Sequence, residues 1–188
     1  MKEIGRLGVW FFPDALSTGE IAELAQGAER LKFDTLWYPE AVGYETFGYA
    51  GFVLSETDRL RVASGIANIY ARDAVTAMAG HNTLNRLYGD RFILGLGVSH
   101  VPLVEGFRGH SYGKPVTTMR AYLDAMEAAE LSIKVPEQNI VLAALGPNML
   151  ALSRDRTKGA HPYLVTPEHT ARARDILGPD AWLCVEQK

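Results

Sequence analysis

The feature that most constrains how this chain can fold is a regular trade between short apolar runs and longer segments with helical spacing. The runs are rich in β-branched and aromatic residues and cover residues 4–12, 35–38, 60–70, 92–98, 140–145, 159–165 and 181–185. Between the first two, Ser17-Thr18-Gly19-Glu20 reads as a capping box, and Ile21, Leu24, Ala25, Ala28 and Leu31 follow at helical spacing. A weaker helix is expected over 49–56. Asp73 caps a long one carrying Val75, Ala79, Thr83 and Leu87. Another spans about 115–129, Pro147 begins a short one, and Thr166-Pro167 supplies a cap and a first-turn proline for the last.

Strands that alternate with helices imply a parallel sheet with right-handed crossovers. The pattern makes seven strand–helix steps, the last without its helix. An open doubly wound sheet and a barrel both accommodate that count. Two features favour the barrel: the runs are short, and polar or glycine-rich residues cluster after nearly every one, where a barrel builds its active-site loops. No GxGxxG turn follows the first run, as a dinucleotide-binding sheet would usually carry. A complete barrel averages about 250 residues, and this chain has 188. The expected fold class is therefore α/β, a (β/α)8 barrel of the TIM type. It is incomplete, forming one domain over residues 1–188 that lacks the eighth strand and its helix.

Composition narrows the partners. The net charge of -3 leaves no basic footprint for nucleic acid. No apolar run approaches the roughly 20 residues of a membrane span. The amino terminus, with Glu3, has no signal-peptide pattern, and a single cysteine precludes an internal disulfide, so a cytoplasmic address is expected. Cys184, inside an apolar run, reads as a small buried hydrophobe. The five histidines show no HExxH spacing, there is no CxxC, and no metal site is expected.

Chemistry in such a fold belongs at the carboxyl ends of the strands. There the chain offers Trp10-Phe11-Phe12, Trp37-Tyr38-Pro39-Glu40, Ser64-Gly65-Ile66-Ala67-Asn68, Gly97-Val98-Ser99-His100, Ala144-Leu145-Gly146-Pro147-Asn148, His161-Pro162-Tyr163 and Glu186-Gln187. This aromatic, glycine-dotted rim with few charges suits a planar apolar ring. Gly65, inside a strand-like run, marks either a packing kink or a bulge pressed against a ligand. Gly146-Pro147-Asn148 opens a helix whose free N–H groups favour an anion, although an ordinary strand-to-helix turn has the same sequence. His100 and His161 lie just past strands, and the backbone of His161 is restricted by Pro162. Glu40 is the only carboxylate at the end of the second run.

Several of these segments together resemble the luciferase-like monooxygenases, in particular the actinobacterial branch of deazaflavin-dependent oxidoreductases. The resemblance runs through Phe33-Asp34-Thr35-Leu36-Trp37-Tyr38-Pro39-Glu40, Ser64-Gly65-Ile66-Ala67-Asn68, Asn82-Thr83-Leu84 and Arg91-Phe92-Ile93-Leu94-Gly95-Leu96-Gly97. It continues in Tyr112-Gly113-Lys114-Pro115, Met119-Arg120-Ala121-Tyr122-Leu123, Ala143-Ala144-Leu145-Gly146-Pro147 and Gly159-Ala160-His161-Pro162-Tyr163. It implies an oxidoreductase that moves a hydride between coenzyme F420, an 8-hydroxy-5-deazaflavin, and a small organic molecule. An FMN-dependent monooxygenase, a non-catalytic cofactor-binding barrel and a flavin-free phosphate-binding enzyme are the alternatives.

The resemblance further implies a non-prolyl cis peptide in a bulge at Ser64, Gly65 and Ile66 that buttresses the ring. Gly97, Ser99 and His100 would border the cofactor, Ala144, Leu145, Gly146 and Pro147 would line its ring or tail, and His161 joins the cofactor-binding set. Many relatives place a catalytic histidine after the second strand, where this chain has Ala41 and Val42 behind Glu40. Glu40 and His100 are the substitutes for proton transfer. Relatives also continue past Gln187 into an eighth strand. The gap then calls for a second subunit, as in a homodimer, an adapted strand order, or a longer parent chain.

Overall fold

The structure is a computed structural model that describes residues 4–187. Glu3, on which the reading of the amino terminus partly rests, lies outside the described residues. Strands and helices alternate as β1 (Gly8–Trp10), α1 (Thr18–Arg30), β2 (Thr35–Tyr38), α2 (Thr46–Ser55), β3 (Arg61–Ser64), β4 (Ala67–Asn68), α3 (Ala74–Tyr88) and β5 (Phe92–Gly97). A π-helical segment, Pro102–Phe107, intervenes before α4 (Pro115–Glu127), β6 (Ile140–Leu142), α5 (Pro147–Arg156), β7 (Gly159–Ala160), α6 (Pro167–Leu177) and β8 (Trp182–Leu183).

Local chemistry accounts for the helix starts. The Ser17 N–H donates to Glu20 Oε2 at 2.8 Å and the Glu20 N–H returns to Ser17 Oγ at 3.4 Å, which is the reciprocal pair of a capping box. Asp73 Oδ1 accepts from the Thr76 N–H at 2.8 Å, and Thr166 Oγ1 from the His169 N–H at 3.3 Å. Helix α2 begins three residues earlier than its apolar spacing suggests, because Glu45 accepts the Gly48 N–H at 2.8 Å and caps it.

Every strand pairing is parallel, and the sheet runs β1-β2-β3-β5-β6-β7-β8, with β4 beside β5. The run over 60–70 is thus one stave in two pieces, interrupted at Gly65 and Ile66. The run over 159–165 yields only a two-residue strand. Pro162 has no N–H for a ladder, and Leu164 turns to φ 51°.

The sheet curls. Its strands alternate between two cores, as the two-residue period of a strand requires. Leu36 and Tyr38, Val62, Phe92, Leu94 and Leu96, Ile140 and Leu142 face the helices. Trp37, Ala63, Ile93, Val141 and Trp182 pack together on the other face, with Ile4, Trp10 and Cys184 against them. Trp37 on β2 and His161 just past β7 stack at a ring separation of 4.4 Å and an interplanar angle of 12°, across the face of the sheet. Staves that far apart in strand order meet only if the sheet bends round on itself. The inner cluster is therefore the lumen of an α/β barrel that is short of closure. Between β1 and β8 a cleft of about 250 Å³ runs past Gly5, Gly8, Trp10, Trp37, His161 and Glu186. Among the described residues no helix is long and apolar enough to cross a membrane.

Candidate functional site

The site is built where β3 breaks. Ser64 is fully buried, and its hydroxyl both donates to the Gly95 carbonyl at 2.9 Å and accepts the Gly95 N–H at 3.0 Å, so a side chain takes over from the backbone ladder. The next peptide, Gly65–Ile66, is cis. It is held on its β2 side: the Gly65 N–H donates to the Tyr38 carbonyl at 2.7 Å, and the Glu40 N–H to the Ile66 carbonyl at 3.2 Å. The displaced stave leans over β5. A Cβ on Gly95 would overlap the Ser64 carbonyl oxygen, and one on Gly97 would meet the Ile66 side chain at 2.5 Å. Both glycines are needed for that close approach.

Gly65 forms a shelf beneath two aromatic rings. A Cβ there would lie 2.8 Å from Trp10 Nε1 and 2.9 Å from His161 Nε2. The Trp10 indole N–H donates to the Gly65 carbonyl at 3.3 Å. His161 is buried, its Nδ1–H donates to the Cys184 carbonyl at 2.7 Å, and its Nε2 has no partner. Burial pushes this imidazole down to about 4, against a smaller opposing pull from the Cys184 carbonyl. Cys184 is half-buried, and burial likewise pushes its thiol up to about 12. Phe11, Phe12, Tyr44, Leu145 and Tyr163 stay exposed on loops that follow β1, β2, β6 and β7, and Phe107 at the end of the π-helical segment that follows β5. The mouth is apolar and aromatic.

The other sequence-nominated residues are distributed around this shelf. Gly97 meets the side chain of Ile66, the residue after Gly65. Ser99 follows half-buried, with φ 58°, and its carbonyl accepts from the Tyr112 hydroxyl at 3.2 Å. His100 is exposed on the next residue, and its carbonyl begins the π-helical segment by accepting from the Leu103 and Val104 N–H groups. Ala144 is buried in the core between sheet and helices, whereas Leu145, Gly146 and Pro147 are exposed at the amino end of α5.

Glu40 is engaged from all sides. Its carboxylate forms a buried ion pair with Arg72 and accepts from the Thr46 N–H at 3.2 Å and the Asn68 N–H at 2.9 Å. Burial opposes the charge on Arg72, and Glu40 more than offsets it, holding the guanidinium above its ordinary value. The sequence places Trp10 and Trp37 in the aromatic rim without a role of their own, and it does not single out Arg72. The two tryptophans are legible as inward positions of period-two runs, but nothing local marks Arg72.

Residues 6–177 match the family described as luciferase-like monooxygenase. The chain belongs to that family. Among curated relatives is Rv3520c of Mycobacterium tuberculosis, provisionally named a coenzyme F420-dependent oxidoreductase. It is 31% identical over 169 residues, covering 89% of this chain and 46% of the relative. A second, the 5,10-methylenetetrahydromethanopterin reductase of Methanolobus tindarius, is 24% identical over 159 residues, 74% of this chain and 48% of the relative. The chain thus spans about half the length of these curated relatives. A solved F420-dependent secondary alcohol dehydrogenase superposes with a TM-score of 0.80 at 13% identity, over 96% of this chain and 68% of that one, which shows the shared fold.

Proposed function

We propose that the barrel mouth holds a deazaflavin, coenzyme F420, and that the protein passes a hydride between it and a small, uncharged organic substrate. The observation that carries this reading is the Gly65 shelf. A planar ring needs aromatic walls and few competing charges; Trp10, Trp37 and His161 supply the walls, and Gly65, whose missing side chain would meet Trp10 and His161, keeps a projection out from between them, while Gly95 and Gly97 let the broken stave lean over β5. The residues fit the group in a second respect: a buried ring nitrogen with no partner stands beside the shelf. The names borne by the relatives point the same way.

A bound deazaflavin supplies hydride transfer. The chain's own residues hold and orient it. Ser64, Gly65 and Ile66 form the floor, Gly97 and Ser99 the flank, and Leu145, Gly146 and Pro147 receive the tail at the start of α5, where N–H groups favour an anion. Ala144 contributes backbone alone. His161 borders the ring. Glu40 acts through position: its carboxylate ties the loop after β2 to Asn68 and Arg72, and so holds the end of the broken stave. His100, exposed beside the mouth, exchanges the proton that accompanies the hydride.

Titration with oxidised coenzyme F420 and with FMN, followed by ligand and tryptophan fluorescence, tests the proposal. Deazaflavin binding tighter than FMN is the expected result, and no binding of either ring would end it. Preferential FMN binding, with oxygen consumed on adding reduced FMN and a candidate substrate, would favour the monooxygenase alternative.

A further inference from the structure

Among the described residues no backbone ladder joins the two ends of the sheet. β1 pairs with β2 alone and β8 with β7 alone, and the cleft between them passes Gly5 and Gly8 and reaches Trp10 and Glu186. Side chains cross this seam at the mouth. The rings of Trp10, at the end of β1, and Tyr163, in the turn after β7, lie 5.5 Å apart at 52°, an attractive geometry for an aromatic pair. Trp10 in turn donates to the Gly65 carbonyl, so Tyr163 leans on a ring already tied to the broken stave.

The turn that carries Tyr163 has no ladder of its own. β7 stops at Ala160, Pro162 lacks an N–H, and Leu164 adopts a left-handed φ of 51°. A leucine occupies that region against a steric cost, because its Cβ crowds the following carbonyl. The turn therefore needs a tie from outside, and Glu186 supplies two. Its N–H donates to the Pro162 carbonyl at 2.9 Å, and its Oε2 accepts the Leu164 N–H at 2.8 Å. Gln187 Nε2 adds a longer bond, 3.4 Å, to the Val165 carbonyl. Tyr163 lies between the two points that Glu186 holds. Glu186 is itself buried, at the carboxyl end of β8. Carboxylates are seldom buried without a strong partner, and the partner here is the backbone of an exposed turn.

We propose that Glu186 is a positioning residue of the ring site: by gripping the turn after β7 on both sides of Tyr163, it holds that ring against Trp10 and completes the wall of the mouth across the seam. This rests on the cofactor reading above for what the wall faces. Glu186 acts through Tyr163. The Leu164 N–H needs an acceptor oxygen, which an amide side chain also provides.

Protein labelled with ¹⁵N is followed through the Trp10 indole N–H, assigned by its loss in Trp10→Phe, and through the Leu164 amide. In the wild type the Leu164 amide should exchange with solvent more slowly than in an unstructured peptide, although the residue is exposed. Glu186→Leu removes the acceptor at similar bulk. With far-UV circular dichroism unchanged, the Trp10 indole resonance should move, and 5-deazariboflavin should bind at least about tenfold more weakly. Glu186→Gln should restore both readings. Tyr163→Leu should weaken binding to a similar degree, and adding Glu186→Leu to it should weaken binding by no more than about a further twofold, which a general loss of packing would not reproduce. An unprotected Leu164 amide, an unmoved Trp10 resonance or full affinity in Glu186→Leu, no rescue by Glu186→Gln, or additive losses with Tyr163→Leu would each overturn the positioning role while the cofactor reading stands. If the wild type binds no ring, the cofactor reading falls and the role at the ring site falls with it. Exchange is read on wild-type protein, so a poorly folded Glu186→Leu does not remove the test.

Discussion

Acid should loosen this protein through His161 in a way that one substitution removes. The imidazole is 3% exposed, and burial lowers its pKa from the ordinary 6.5 to about 4, with the Cys184 carbonyl opposing. Between those values the unfolded chain binds a proton at His161 that the native chain does not. The stability contributed by the neutral ring is therefore fully present above pH 6.5 and is lost as the pH falls towards 4. The whole gap corresponds to about 3 kcal/mol, of which about 2 kcal/mol falls between pH 7 and pH 5. His161→Phe keeps the stack on Trp37 and cannot titrate. Urea unfolding followed by circular dichroism at pH 7 and pH 5 should show the variant losing about 2 kcal/mol less than the wild type over that interval, whatever its stability at pH 7. His81 is also buried, hydrogen-bonded to Asn82 and Asn85, with its pKa lowered by burial; it titrates with the same sign in both proteins and cancels. Parallel losses in the two proteins would refute the reasoning, because they would mean that the native ring takes up its proton as readily as the unfolded one.

Gly95→Ala should destabilise by at least about 2 kcal/mol, since its Cβ would overlap the backbone oxygen of Ser64, which cannot move without breaking the bulge. Gly19→Ala, with nothing near its Cβ site in α1, serves as the control and should be stabilising by roughly 0.5–1 kcal/mol; equal thermal shifts for the two would contradict the packing argument. Glu40→Gln should cost about 3 kcal/mol by removing the buried counter-charge of Arg72, which keeps only the more exposed Glu45 at 3.2 Å. In a denaturation cycle the Glu40→Gln, Arg72→Met double variant should lose less than the sum of its singles, and strict additivity would show that the pair does not interact.

Much of the site's frame could be read from neighbouring residues alone. The Ser17–Glu20 box, the Asp73 cap and the Thr166-Pro167 start are interactions within one helical turn, so their sequence signatures carry directly into structure. The same holds for Gly65, Gly95 and Gly97. A glycine inside a strand-like run marks a kink or a bulge, and the broken stave formed at Gly65; Gly95 makes room for the Ser64 carbonyl and Gly97 for the Ile66 side chain. Strand lengths were less legible: the run over 159–165 shrank to Gly159–Ala160 because Pro162 and the turn at Leu164 outweigh the apolar character of their neighbours.

The chemistry that alternation and capping could not reveal depends on contacts between distant segments. Glu40 reads as a loose carboxylate at a strand end, and only the fold delivers Arg72 and the Asn68 N–H to it. His161 reads as one rim histidine among several until the curl of the sheet lays it on Trp37 and brings the Cys184 carbonyl to Nδ1. Sequence by itself determined the alternation of strands and helices, the places where helices begin and the glycines on which the bulge rests, because each follows from forces acting over a few residues. Tertiary structure decided which carboxylate is neutralised and which nitrogen is left without a donor. Burial and hydrogen-bond partners are properties of the space that the curled sheet encloses, and no short stretch of chain contains that space.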